Sequence, residues 1–138
     1  MSQRKRGAEG SNLRRAKRVL GALLLVLLVA PGTRALAAEP NLERELQGIW
    51  GQMLDALARQ DIEGALAFVD PGARDRYREN FRILGPRLPE EAAALRRMRL
   101  LRVEGDRAIC EIQRAGSGRS YPLHFIQDGA GRWWIEEM

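Results

Sequence analysis

The sequence predicts an α+β domain behind a secretory leader, and three observations carry that reading. An apolar stripe at helical spacing runs from Leu42 to Leu57, four β-rich segments parted by glycine turns follow Arg97, and the first thirty positions are basic and then apolar. Helices first and strands after is the order of a domain whose helices gather on one face of an antiparallel sheet. A chain of 138 residues has room for one such core.

The leader comes first. Arg4, Lys5, Arg6, Arg14, Arg15, Lys17 and Arg18 stand against a single Glu9, and an apolar run from Val19 to Ala30 follows directly. Pro31 and Gly32 break any helix there, and Ala35-Leu36-Ala37 puts small residues at the two positions a signal peptidase reads. The expected cut lies between Ala37 and Ala38, so residues 1–37 form a signal peptide and 38–138 the mature domain. The alternative is an uncleaved anchor in the inner membrane, but twelve apolar residues rise only about 18 Å as a helix, short of a bilayer core. Lys17 and Arg18 stand where a twin-arginine signal wants apolar residues, and no cysteine stands just after the apolar run to accept a lipid. The expected location is the periplasm or the exterior of a bacterium, with membrane contact only through the leader before cleavage.

Removing the leader changes the charge argument. The whole chain carries +5, yet from Ala38 onward 15 arginines face 17 carboxylate side chains, a net charge near −2. A nucleic-acid partner inferred from overall basicity therefore loses its support. Cys110 is the only cysteine, so no disulfide staples the chain, and its place in Ala108-Ile109-Cys110-Glu111-Ile112 reads as a buried, inert thiol.

Leu42, Leu46, Ile49, Trp50, Met53, Leu54 and Leu57 share one stripe of a helix over 42–59. Fixing that backbone costs more than burying the stripe returns, so the helix needs a docking surface within the chain. Asp61 stands at an N-cap position for a short second helix that Pro71-Gly72 closes. A third follows on Ala73, Tyr77, Phe81 and Leu84, with Arg74, Arg78 and Arg82 among Asp75 and Glu79 as a solvated, salt-bridged face, the alternative being contact with an anionic ligand. Pro89 opens one further helical turn through Leu95.

From there the period drops to two. Segments 98–103, 107–113, 120–127 and 132–137 are rich in β-formers and separated by Glu104-Gly105-Asp106, Gly116-Ser117-Gly118 and Asp128-Gly129-Ala130-Gly131. Four strands on three tight connections predict an antiparallel meander, with the first helix across one face. Arg96, Arg97, Arg99 and Arg102 enter its first strand as a basic run, read as a solvated charged edge of the kind that discourages sheet aggregation, with an anion patch as the alternative.

The helical opening with Trp50, the step DIEGALAFVDP over 61–71, the following Tyr77 and Phe81, and the closing DGAGRWWIEE with Gly131, Trp133 and Ile135 resemble the nuclear transport factor 2-like superfamily across nearly all of the mature chain. The resemblance implies a cone, in which a curved four-stranded antiparallel sheet wraps the long first helix and leaves a pocket at the open end. It also implies that Trp133 faces the helices and Trp134 the outer surface. The chain departs from the family in having no clear strand between its second and third helices. Family members include isomerases and dehydratases with an Asp or Asp-His pair, small-ligand binders and assembly modules, so the fold alone does not choose among activities.

Individual residues narrow the choice. Trp50, Tyr77, Phe81 and Trp133 are the candidate ligand-pocket residues, against simple core packing. His124, the sole histidine, is the candidate general base, tuned by Asp55 or Asp70; the plainer alternative is a structural or surface imidazole. Trp134 is the candidate partner surface, for a protein or a second copy of the chain, unless neighbouring arginine stems cover it. No ligand spacing for a metal, no phosphate loop and no nucleophile elbow is present, so neither metal nor cofactor is expected. The reading is an exported, non-catalytic binding or assembly module for a small apolar ligand or a protein partner. The alternative is a small isomerase-type or dehydratase-type enzyme using His124 with a carboxylate.

Overall fold

The computed structural model describes residues 39–138; the leader and its expected cleavage at Ala37 and Ala38 lie outside them. Four helices precede four strands: α1 Glu39–Ala58, α2 Ile62–Leu66, α3 Arg74–Leu84, α4 Leu88–Ala94, then β1 Arg97–Glu104, β2 Arg107–Gln113, β3 Ser120–Gln127 and β4 Trp133–Glu137. The strands form one antiparallel meander in the order β1-β2-β3-β4. Helices thus pack against an open four-stranded sheet, as the order of the sequence patterns implies.

Local chemistry sets the helix ends. The Asp61 carboxylate accepts the Gly64 N–H at 2.9 Å and caps α2. Asp70 does the same for Gly72 at 2.9 Å, starting a short 3₁₀ turn over Pro71–Ala73. A second 3₁₀ turn, Gly85–Arg87, leads into α4, which begins at Leu88, one residue before the proline expected to open it. Pro89 lies within the first turn, where its missing N–H has no intrahelical partner to lose.

The stripe of α1 is buried as expected. Leu46, Trp50, Met53, Leu54 and Leu57 are each at most 5% exposed and share one core with the inner face of the sheet. That inner face alternates large and small side chains: Ala108 stands opposite Val103 on one side and Phe125 on the other, and Phe125 opposite Ile135. Cys110 is buried in the next row, between Leu100 and Leu123, and burial pushes its thiol up to about 12. A bulge between Leu100 and Arg102 and another between His124 and Phe125 interrupt the ladders and bend the strands that carry them.

Both sheet edges are engaged by the helical half. Along β1, the Leu100 N–H donates to Glu43 Oε1 at 3.2 Å, and Gln47 Nε2 donates to the Met98 carbonyl at 3.2 Å. Side chains of α1 thereby satisfy edge groups that otherwise invite a foreign strand. Along β4, Val69 forms a parallel bridge with Ile135: the Asp70 N–H donates to the Ile135 carbonyl at 2.8 Å and the Ile135 N–H to the Phe68 carbonyl at 2.9 Å. The stretch between α2 and α3, which shows no strand pattern in the sequence, therefore works as an extended rung on the sheet.

Candidate functional site

The helices enclose an apolar cleft between α1, α3 and α4. Its volume is about 210 Å³, and Trp50, Met53, Tyr77, Phe81, Leu88 and Met138 are among the residues that line it. Amphipathic spacing puts them there: Trp50 and Met53 come from the stripe of α1, while Tyr77 and Phe81 lie one turn apart on α3 with ring centroids 6.0 Å apart. The inner ends of the aromatic side chains are tied down. Trp50 Nε1 donates to the Leu95 carbonyl at 2.8 Å, and the Met138 N–H donates to the Tyr77 hydroxyl at 2.8 Å.

One carboxylate reaches the lining. Glu91 is clamped by Arg114, whose Nη1 and Nη2 donate at 2.5 and 3.1 Å, and it also accepts from Arg87 Nη2 at 3.2 Å. The Arg114 bonds hold its carboxyl below the usual glutamate range, so it faces the cleft as a neutralised anion. Asn80 is the remaining polar side chain of the lining, and it is exposed. The cleft thus offers dispersion and shape, with few uncommitted polar atoms to orient a reaction.

Three of the four expected pocket residues come together here. Trp50, Tyr77 and Phe81 share the cleft, whereas Trp133 is buried in β4 at 5% exposure and is not part of the lining. A strand residue on the inner sheet face packs against helices from below, while the cleft opens among the helices themselves.

His124 lies on the opposite, outer face of the sheet, in a larger charged hollow of about 750 Å³ with Asp70, Arg76, Arg107, Glu136 and Glu137. Its Nδ1 is 3.5 Å from Glu137 Oε2. Neighbouring charges are mutually engaged: Arg107 forks onto Glu136 at 3.1 and 2.9 Å, and Asp70 is committed to its cap. Asp55 is not brought to His124. It projects from the solvent side of α1 and pairs with Arg96 at 2.7 Å, whereas His124 approaches Glu137 on the outer sheet face.

Trp134 is on the outer face and half-buried, packed by its own neighbours. The Arg132 guanidinium sits 3.8 Å from its ring centroid and that of Arg74 5.6 Å, a stacked arrangement of cations on an aromatic face. Its indole N–H donates to Asp128 Oδ2 at 2.9 Å, the leading cause of that carboxyl lying below the ordinary aspartate range. Asp128 Oδ1 also accepts the Ala130 and Arg132 N–H groups, so Trp134 helps close the β3–β4 turn.

Among the described residues, no three His, Cys, Asp or Glu side chains are placed to hold a metal ion. No described helix is long and apolar enough to cross a membrane. Sequence reasoning missed Glu91, Arg114, Leu88 and Met138 as site residues. Only the Arg87 and Glu91 spacing of four carried a local signal, since Glu91 meets Arg114 across 23 positions. Searches of protein-family models, curated proteins and solved structures find no match to this chain.

Proposed function

We propose that this chain is an exported, non-catalytic binding module of the nuclear transport factor 2-like kind, and that its site is the helix-lined cleft. The observation that carries the reading is a preformed apolar cleft of about 210 Å³ whose aromatic walls are held by hydrogen bonds to backbone. Ligand sites are concave, mostly apolar and largely formed before the ligand arrives, and at about 210 Å³ this one is smaller than the usual range of about 300 to 1,000 Å³. An engineered apolar cavity of about 150 Å³ binds benzene, so a small apolar group or one protruding side chain of a protein partner suits the space.

Native mass spectrometry of the protein recovered from the periplasm of its producing cells tests this directly. A mature chain starting at Ala38 with a retained small molecule or a co-purified partner supports the reading. A chain that is empty and monomeric, and whose melting temperature no apolar compound raises, overturns it. The same spectra report the leader and any homodimer through the outer sheet face.

A second reading, the His124 enzyme, rests on the approach of Glu137 to the imidazole at 3.5 Å within a concave surface. It requires turnover that His124→Ala abolishes, while Trp50 and Phe81 variants leave it intact. The engaged state of Arg107, Glu136 and Asp70 around the imidazole favours the binding module.

A further inference from the structure

We propose that the cleft takes an anionic amphiphile, a single short alkyl chain ending in a phosphate-like head, with the chain among the helices and the head on the arginine-lined turn beside them; this rests on the cleft being the binding site. The apolar cleft and a basic hollow meet at one ion pair. Glu91 lines the cleft and its partner Arg114 lines the hollow, and with side chains 16% and 26% exposed the two spaces adjoin at a partly covered ion pair. The hollow has a volume of about 330 Å³ and is formed by Arg97, Gln113 and Arg114 with Ala115, Gly116 and Gly118 of the β2–β3 turn. The Ala115 N–H donates to the Ala94 carbonyl at 2.8 Å, which fastens that turn to the end of α4, a wall of the cleft.

Charge favours an anion at this end. Arg96, Arg99 and Arg114 are paired, with Asp55, Glu111 and Glu91, whereas Arg97 has no carboxylate partner among the described residues. Arg119 follows in the turn, likewise without one. Positive charge therefore accumulates here in a domain that carries a slight negative excess. Gly116 and Gly118 have positive φ of 78° and 64°, and the Gly116 N–H meets no acceptor among the described residues. Guanidinium groups and free backbone N–H groups are donors that phosphate oxygens accept from. Scaling from the benzene-sized cavity, the cleft holds a chain of about eight carbons.

Isothermal titration of protein expressed from the full chain tests the inference, with octyl phosphate as the probe and hexyl phosphate, octanol, inorganic phosphate and phosphatidylglycerol vesicles as comparisons. Octyl phosphate should bind about fifteenfold tighter than hexyl phosphate, from two further buried methylenes. Arg97→Glu should weaken octyl phosphate at least tenfold, the loss of a charged hydrogen bond, and leave octanol unchanged. Arg97 is exposed and unpaired, so the variant should fold as the parent does.

If octanol binds as tightly as octyl phosphate and Arg97→Glu changes neither, the amphiphile is wrong and the apolar cleft stands. Binding of inorganic phosphate alone, with no gain from an alkyl chain, overturns both the amphiphile and the cleft as the site. Vesicle binding that Arg97→Glu abolishes, without binding of free octyl phosphate, identifies the arginines as a membrane-surface patch and overturns the amphiphile.

Discussion

The indole of Trp50 and the carbonyl of Leu95 are joined by a 2.8 Å hydrogen bond that ties the middle of α1 to the end of α4, directly behind the cleft. Trp50 is only 2% exposed, and the bond it makes to the partly buried Leu95 is shielded on the indole side. Trp50→Phe keeps most of the apolar contact but strands the carbonyl, at a cost of about 1 to 3 kcal/mol. Urea unfolding followed by circular dichroism should show that loss as a lower midpoint with an unchanged slope.

Asp61 and Gly64 make a more discriminating test. A Cβ on Gly64 falls 2.1 Å from Asp61 Oδ2, so Gly64→Ala forces the capping side chain to swing away. Losing the cap costs about 1 kcal/mol. Replacing glycine by alanine within a helix returns about the same. Gly64→Ala should therefore be near neutral, Asp61→Ala destabilising, and the double variant close to the parent. Thermal melts of the four proteins should give a coupling of about 1 kcal/mol; strictly additive effects contradict the packing described.

Those elements were legible because their signals are local. The stripe from Leu42 to Leu57, the Asp61 cap and the glycine turns each declare themselves within one turn of helix or one hairpin, and the meander follows from turns too short for any crossover. The pairing of Val69 with Ile135 was not legible. The two residues are 66 positions apart, and the stretch joining α2 to α3 has too few residues to show a period of two. Tyr121 marks the same limit: it alternates in step with Leu123 and Phe125, yet is 39% exposed near the end of its strand.

Leu123 gives the core prediction. It is 0% exposed, faces Cys110 across the ladder, and has no room to relax toward solvent. Leu123→Ala should cost about 2 to 5 kcal/mol through lost burial and the cavity left behind. Ile83, at 74% exposed, should tolerate the same change within about 0.5 kcal/mol. Denaturant midpoints of the two variants, measured side by side, check the contrast.

The candidate site was legible in part and for the same reason. Trp50, Tyr77 and Phe81 were found by helical spacing, which reports a shared face and therefore a shared cleft. Trp133 obeys a strand period instead and belongs to the sheet's inner face, and Arg114 enters the site only through tertiary folding. His124 and Asp55 could be placed on their own elements but not relative to each other, because that needs the side of the sheet on which α1 docks.

Glu91 carries the pH prediction. Bonds from Arg114, and secondarily attraction to Arg114 and Arg87, hold its carboxyl below the ordinary glutamate value in the folded chain. A group depressed by folding contributes stability that is present above its unfolded value, about 4.3, and lost as the pH falls through the folded value. The Glu91 contribution should therefore be complete at neutral pH and fade below about pH 4.3. Glu91→Gln should lower the melting temperature at pH 7, where it removes the clamp on Arg114, and the gap to the parent should narrow as the pH is taken down toward 3. The Arg114 shift is upward and lies far above this range, so it adds nothing to the acid limb. A gap that stays constant from pH 7 to pH 3 would mean that the Glu91 charge does not hold the α4 wall of the cleft to the β2–β3 turn.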